Sequence, residues 1–492
     1  MEKNKYIAVT IGPIFDTVNL ASSLSALWAA SYMFSMLSKN ICIELTKNGI
    51  KEEEIISPFY SSTNSELNKN DGVGLFHDRI IFRADNFKIE SFGAIKENAI
   101  KNTVKMFGFN DEELEYFKRY FLVSAFEYYS DSPVIDSLKA LDSLELSKPF
   151  AEEKNKNPLL TLFTSDNKEH KNEKILEQVA KLGINDWQLH KNNRNGVCEI
   201  EDLASRSVSE ELKKKYKKYK YYAIVRSDGD RMGKIISSLK NDGEIHSFSQ
   251  KCLSYCSKIS EKVHNVYNGI TIYSGGDDLL ALLPVENGDC KTIFDFVKDA
   301  NEVFKESFKE YEGAGASLSF GIFVSYVKYP LYEALEQSAN LLFGVAKERR
   351  NAVAVHFQKH AGQSEGLLIS NDSIDSFIEL HNKITEEKDK DNSEILLSAM
   401  HKLALFSEMF NSADSLKEIK NIFKNTFDAD AHKDNSFLSD VLPEFFSGLK
   451  TKSINLYPIT ENGVDFNTDD CVLTMTYVLR IIKFFTESAG ET

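Results

Sequence analysis

Residues 271–284 read TIYSGGDDLLALLP, and the fold turns on how this stretch is understood. Apolar, β-branched and aromatic residues on both sides read as two strands. Between them stand Gly275, Gly276, Asp277 and Asp278. Glycine and aspartate are poor strand formers, so folding alone does not call for four of them together. A tight turn can use both residue types for its own geometry. The surrounding chain decides between a simple turn and a chemical site.

Upstream, YYAIVRSDGD (221–230) reads as a strand with an acidic end, followed by a helix near 244–266. Downstream come a helix near 290–309, the strand SLSFGIFVSYV, the helix LYEALEQSANLLFGVAKER and the strand NAVAVHF. The order β-α-β-β-α-β, with an added helix and strand, is the ferredoxin-like topology. In it the first strand and the central hairpin are neighbours, so Asp228 is expected at one sheet edge with Asp277 and Asp278. Carboxylates at close quarters repel one another. A divalent cation removes that penalty, and Mg²⁺ (or Mn²⁺) takes oxygen ligands together with phosphates.

On this reading Gly275 and Gly276 both turn with φ > 0 and leave the backbone open to a triphosphate. The Gly229 carbonyl is a further oxygen ligand, and Lys347 is the cation for the β- and γ-phosphates of ATP. The chemistry implied is phosphoryl transfer with two metal ions: a ribose hydroxyl attacks the α-phosphorus and pyrophosphate leaves. Asp228 and Asp277 bridge the ions and Asp278 completes the shell.

The chain has 492 residues, enough for two to four domains, and an ordinary globular composition of 42% hydrophobic and 27% charged residues. A net charge of −15 argues against a chain-wide grip on nucleic acid. No stretch reads as a signal peptide or a membrane span, and a reducing cytoplasm fits the cysteine usage. The six cysteines form no C-x-x-C pair; Cys252 and Cys256 lie four apart on a helix and read as free buried thiols. Residues 1–130 alternate strand and helix, with strands at YIAVTI, RIIFRAD and RYFLVSAFEYY, and read as a compact α/β unit. Residues 131–215 read as a helical and irregular linking domain. Its run ELKKKYKKYKYY reads as a solvated helix end entering the next strand. Residues 216–362 are the ferredoxin-like domain. Residues 363–492 read as helical, with no comparable strand signal.

The segments YAIVRSDGDRMGKII, IYSGGDDLLALLP, SFGIFVSY and AKERRNAVAVHF together resemble the second palm domain of the large polymerase-like subunit of type III CRISPR–Cas effector complexes, of the Cmr kind. VTIGPIFDTVNLASSLSALWAASYMFSML with GLFHDRIIF resembles that subunit's first, degenerate palm, and SLKALDSLELSKPF the helical segment after it. The resemblance implies an α+β fold: two ferredoxin-like palms, a helical insert and a helical C-terminal domain. It implies Asp228, Asp277 and Asp278 as metal ligands, and Ser274, Gly275, Gly276 and Lys347 as nucleotide contacts. It further implies partner subunits, guide RNA and target RNA, and a signalling nucleotide made from ATP.

The chain departs from the family in opening at the first palm, and His77-Asp78 has no second histidine cluster beside it. That pair reads as ordinary strand-edge residues, and no DNA cleavage is expected. Only Cys198 falls where relatives often carry a zinc knuckle, so no zinc is expected there. The resemblance implies that the product is either a cyclic oligoadenylate or AMP joined to S-adenosylmethionine, with Asp16, Asn19 and Asp71 as the acceptor-site candidates in the first palm. Two other readings stand beside this one. A silent scaffold subunit would bind no ATP with Mg²⁺, and a stand-alone diguanylate-cyclase-like enzyme would prefer GTP.

Overall fold

The computed structural model describes residues 3–18, 21, 23–65, 67, 72–145, 182, 184, 188, 189, 198–360, 362, 364–385, 392–427, 437–467 and 469–488. Most of the expected linking domain, and both Asn19 and Asp71, lie outside the described residues. In chain order the principal elements begin with β1 (Asn4–Gly12), α1 (Leu24–Lys47), β2 (Ile55–Ser57), β3 (Arg79–Arg83), α2 (Phe92–Met106), α3 (Asp111–Tyr120), β4 (Leu122–Ser130) and α4 (Pro133–Glu145). Next come β5 (Tyr221–Asp230), α5 (Asp242–Asn265), β6 (Ile270–Gly275), β7 (Asp278–Pro284), α6 (Ile293–Ser307), β8 (Ser317–Tyr326), α7 (Leu331–Leu341) and β9 (Ala352–Gln358). The remainder is β10 (Ser364–Ser370), α8 (Ile374–Thr385), α9 (Asn392–Leu405), α10 (Leu416–Phe427), α11 (Leu442–Lys450), β11 (Leu456–Thr460), β12 (Gly463–Val464) and α12 (Cys471–Thr486). The chain is α+β.

Two compact units make up the chain, and neither is one continuous stretch. The first comprises Met1–Ile200, Arg231–Leu282 and Val303–Ala316; the second comprises Glu201–Asp230, Leu283–Glu302 and Ser317–Thr492.

In the first unit a four-stranded sheet runs in the order β2-β3-β1-β4. Strand β1 pairs antiparallel with both β3 and β4, in registers that include Ala8↔Ile81 and Ala8↔Phe126. Its central residues are buried on both faces, which explains why YIAVTI shows no polar alternation. Tyr6, Ala8, Ile56, Ile81, Leu141 and Ile245 form one core cluster, so helix α5, which precedes the GGDD hairpin, shares a core with the N-terminal sheet. His246 of α5 hydrogen-bonds the Ile55 carbonyl at 3.0 Å and packs its ring on Phe59.

In the second unit six strands lie in the order β12-β11-β10-β9-β8-β5. Strand β5 pairs antiparallel with β8, and β8 runs parallel to β9. The parallel step needs a crossover, and α7 provides it. Helix α7 lies close against β8 because residue 321 is glycine: a Cβ there would meet the Ser338 carbonyl and Leu342, whose Cα is 2.8 Å away.

The region after residue 363 is mainly helical but contributes β10, β11 and β12 to this sheet, which corrects the expectation of no strands there. Two of these strands, β11 and β12, are short. The first carries Pro458 and the second has two residues, so both are weak signals alone.

The basic run after residue 210 is largely absorbed by local partners. Lys213 pairs with Glu210, Lys218 with the buried Glu286, and Lys215 lies over the Tyr216 ring. Among the described residues no helix is long and apolar enough to cross a membrane.

Candidate active site

The sequence-derived site residues fall into two groups, one in each unit. In the second unit, Asp228 and Asp230 sit two apart at the end of β5 and so face the same side of the strand. Register pairs them with Ser319 and Ser317 of β8. Lys347 follows a π-helical turn, Leu342–Ala346, that continues α7. Such turns are often found at functional positions.

The Lys347 ammonium donates to the carbonyls of Asp228 at 3.0 Å and Gly229 at 2.8 Å, and to Asp230 Oδ1 at 3.1 Å. It also forms an ion pair with the Asp228 carboxylate. The oxygens that the sequence assigns to a metal shell therefore face Lys347, a residue the sequence assigns to phosphate.

Asp230 was not singled out by sequence reasoning, yet it is the most enclosed acid of this group, its side chain 0% exposed. It receives hydrogen bonds from Ser317, Ser319, Lys347 and the Asn351 backbone N–H. The turn it holds is strained: Arg350 has φ 62° and ψ 161°, and Asn351 has φ 48°. Each such residue costs about 1–3 kcal/mol and persists only where its surroundings enforce it.

In the first unit, β6 and β7 form the hairpin, with Gly275 opposite Asp278. Only Gly276 has positive φ, at 70°. A single positive φ at the first of the two turn residues is the II′ pattern. Gly275 serves a different purpose. A Cβ there would lie 2.7 Å from Tyr273 Cζ and 2.9 Å from Cε2, so glycine makes room for the tyrosine ring.

Ser274 is fully buried. Its hydroxyl donates to the Cys256 carbonyl at 3.4 Å, and its N–H to the Gly74 carbonyl at 3.1 Å. Its role here is to fix the hairpin against α5 and the segment before β3.

The hairpin tip opens on a cavity of about 460 Å³ within the first unit. Gly275, Gly276, Asp277 and Asp278 line one part of it; Ser57–Phe59 and His77–Arg79 of the N-terminal sheet line another. The wall between them includes Tyr273, Phe248 and Cys252. Burial and then the Asp278 and Asp78 charges push the Tyr273 phenol well above its ordinary value. Burial likewise pushes the Cys256 thiol up to about 12, with Asp277 and Asp278 adding to the shift. Cys252 moves the same way, through burial and then Asp277. Both thiols stay protonated at neutral pH, as expected for free buried cysteines.

His77 lies on the cavity wall. It accepts from the Arg79 N–H through Nδ1, which leaves Nε2–H to donate to Ser57 Oγ at 3.1 Å. Burial, aided by the Arg79 charge, lowers its imidazole to about 4. Asp16 is exposed on the short helix Ile14–Val18 and does not line the cavity.

Among the described residues, no three His, Cys, Asp or Glu side chains gather as a preformed metal cage. The donors present are hard oxygens: the Asp277 and Asp278 carboxylates at the hairpin tip, and the Asp228 carboxylate and Gly229 carbonyl at the end of β5. Mg²⁺ is usually held by one or two carboxylates plus substrate phosphates and water. This donor chemistry fits Mg²⁺ arriving with a triphosphate.

Residues 221–354 match the family model described as Cas10/Cmr2, second palm domain. Residues 6–107 match the model for CRISPR-associated protein Cmr2, N-terminal. The CRISPR system Cmr subunit Cmr2 of Pyrococcus furiosus is 31% identical over 226 residues, covering 39% of this chain and 25% of that protein. The match thus spans a quarter of the curated relative's length. Among solved structures, a chain of the type III-B Cmr-beta complex in its apo state aligns with a TM-score of 0.61 at 12% identity, over 98% of this chain and 81% of that one. A chain of the Csm1-Csm4 cassette in complex with cA4 aligns with a TM-score of 0.56 at 14% identity, over 99% of this chain and 70% of that one. At these identities the structural likeness concerns the fold. The two family models match most of the first sheet and then the hairpin-bearing domain, so this chain is similar to Cas10/Cmr2 proteins in both regions.

Proposed function

We propose that the chain is the RNA-activated nucleotidyltransferase subunit of a type III CRISPR effector complex, working with partner subunits, guide RNA and target RNA. Its substrate is ATP and its product a signalling nucleotide for antiviral defence. The observation that carries this reading is the open cavity of about 460 Å³, which the GGDD hairpin and the N-terminal sheet line together. That volume suits a ligand of nucleotide size. Burial is the main cause of the raised Tyr273, Cys252 and Cys256 groups, and the charges of Asp277 and Asp278 add a smaller push in the same direction, the sign of a negative potential. Such a potential favours a ligand that carries cations.

In the proposed reaction a ribose hydroxyl bonds to the α-phosphorus of ATP and the bond to pyrophosphate breaks. Bound Mg²⁺ supplies charge neutralisation at the phosphates. Asp228, Asp277 and Asp278 provide carboxylate ligands, and Gly229 a carbonyl. Gly276 keeps the hairpin backbone accessible, and Lys347, held at the end of β5, offers a point charge to the phosphates from there. Solved relatives of the same fold were captured with cA4 and with pppApA, which supports an adenylate product here. The experiment is mass spectrometry of the reaction of the assembled complex with target RNA, ATP and Mg²⁺, with and without S-adenosylmethionine. A cyclic oligoadenylate or an AMP–S-adenosylmethionine conjugate supports the reading, and ATP left unchanged in both arms refutes it.

One observation favours the silent-scaffold reading. Lys347 already neutralises Asp228 and Asp230, so the β5 acids are stable without a metal. Calorimetry decides between the two: a scaffold gives no heat with ATP and Mg²⁺.

A further inference from the structure

We propose that Asp230 is the positioning residue that sets the Lys347 ammonium at the end of β5, by gripping Lys347 and the Arg350–Asn351 turn with one buried carboxylate. This rests on the nucleotidyltransferase reading and adds to it a residue outside the expected ligand set.

The grip is shared between both carboxylate oxygens. Oδ1 accepts from Lys347 Nζ at 3.1 Å and Ser319 Oγ at 2.9 Å. Oδ2 accepts from Ser317 Oγ at 2.7 Å, Ser319 Oγ at 3.0 Å and the Asn351 N–H at 2.8 Å. A fully buried carboxylate is otherwise costly, and here charge-assisted hydrogen bonds satisfy it from three directions.

Lys347 and Asn351 flank the strained residue Arg350, so one acid fixes both ends of the segment 347–351. A second tie holds the turn from outside: Asn371 Nδ2 donates to Asn351 Oδ1 at 3.0 Å, and the Asn371 N–H to the Asn351 carbonyl at 2.9 Å. Lys347 has three N–H bonds and four oxygens around it, those of Asp228 (carbonyl and carboxylate), Gly229 and Asp230. Its placement is therefore an equilibrium among acceptors, and the buried Asp230 carboxylate biases it toward the strand end.

Asp230→Asn tests this with little change in shape. The two serine hydroxyls can rotate to suit an amide, whereas Lys347 Nζ and the Asn351 N–H can only donate. In one orientation the NH₂ faces Lys347 and in the other it faces the Asn351 N–H, and in both the carboxylate charge that holds the ammonium is gone.

The first readout needs no nucleotide: the rate of Lys347 acylation in the full-length chain, followed by peptide mass spectrometry. Asp230→Asn is expected to raise it about tenfold, the worth of one charge-assisted hydrogen bond. An unchanged rate in a variant with a cooperative melt overturns the proposal. Should Asp230→Asn fail to fold, Ser319→Ala decides by the same readout, with a smaller acceleration expected and an unchanged rate overturning it.

The second readout is calorimetric affinity for Mg²⁺-ATP and for AMP. Asp230→Asn is expected to weaken ATP about tenfold, leave AMP unchanged, and cost nothing further in a Lys347→Met background. Equal ATP losses in both backgrounds would mean a merely structural role and overturn the proposal. If the wild-type chain binds no ATP while Lys347 acylation still accelerates, the nucleotidyltransferase reading falls and the Asp230 assignment stands.

Discussion

Gly275 and Gly276 stand side by side, yet the structure gives them different jobs, and substituting each separates those jobs. In Gly276→Ala the new Cβ meets nothing within 4 Å, so the cost is that of an L-residue at φ 70°. That is about 1–2 kcal/mol. In Gly275→Ala the backbone is ordinary, but the methyl collides with the Tyr273 ring, whose Cζ and Cε2 are 2.7 and 2.9 Å from it. Contacts below 3.0 Å between carbons cannot persist, so the ring must leave its place beside the hairpin. Overpacking of this kind costs about 1–3 kcal/mol, occasionally more. Because Tyr273 walls the cavity, its shape changes too. The assay is thermal unfolding of the two variants, alone and with Tyr273→Leu. For a unit of this size each kcal/mol lowers Tm by roughly 2–4 °C. Tyr273→Leu is expected to rescue Gly275→Ala and leave the deficit of Gly276→Ala intact. If it rescues neither, or both equally, the steric account of Gly275 is wrong.

His77, with its imidazole lowered to about 4, makes stability depend on acid. Between pH 6.5 and 4 the unfolded chain binds a proton that the folded chain refuses, so stability falls as pH drops through that window, by about 3 kcal/mol at most. Urea titrations at pH 7 and 4.5 should show the loss, and His77→Asn should reduce it; His356 and His381, also lowered by burial, contribute in the same direction. The buried pair Lys218–Glu286, at 2.6 Å and under 9% exposed on both sides, predicts a different kind of loss. Glu286→Leu strands a buried ammonium and should cost about 3–5 kcal/mol in denaturant unfolding. Lys213→Ala, which breaks the exposed pair with Glu210, should cost no more than about 1 kcal/mol.

The legible parts of the fold were those whose signal is local and strong. Strands β1, β5, β6 and β7 are runs of apolar and β-branched residues closed by Gly, Asp or Pro, β8 and β9 are similar apolar runs, and the structure has strands in each place. Helix α3 was passed over, although Asn110 and Glu113 spell a capping box. Asn110 Oδ1 accepts from the Glu113 N–H at 2.9 Å, and the Glu113 carboxylate from the Asn110 N–H at 2.8 Å. Strand β4 accordingly starts at Leu122, past the helix, not at Arg119. Strand β10, SEGLLIS, hides because four of its seven residues are polar or glycine; pairing with β9 stabilises it, and no local sequence reports that.

At the site, Asp277 and Asp278 were conspicuous as charges inside an apolar hairpin. Asp230 was overshadowed by Asp228, although the i, i+2 spacing in SDGD puts both on one face. The cavity wall formed by Ser57–Phe59 and His77–Arg79 depends on packing between segments nearly 200 residues apart, which periodicity cannot reveal.

The central claim concerns chemistry at the hairpin acids, and pyrophosphate release measures it most directly. The assembled complex with guide RNA, target RNA, ATP and Mg²⁺ is compared with the same complex carrying Asp277→Asn and Asp278→Asn, substitutions that keep side-chain shape and remove charge. The account predicts steady pyrophosphate release by the wild type and a fall of at least about a thousandfold in the variant, as expected when charged groups at a reacting phosphate are lost. Equal release by both would contradict it.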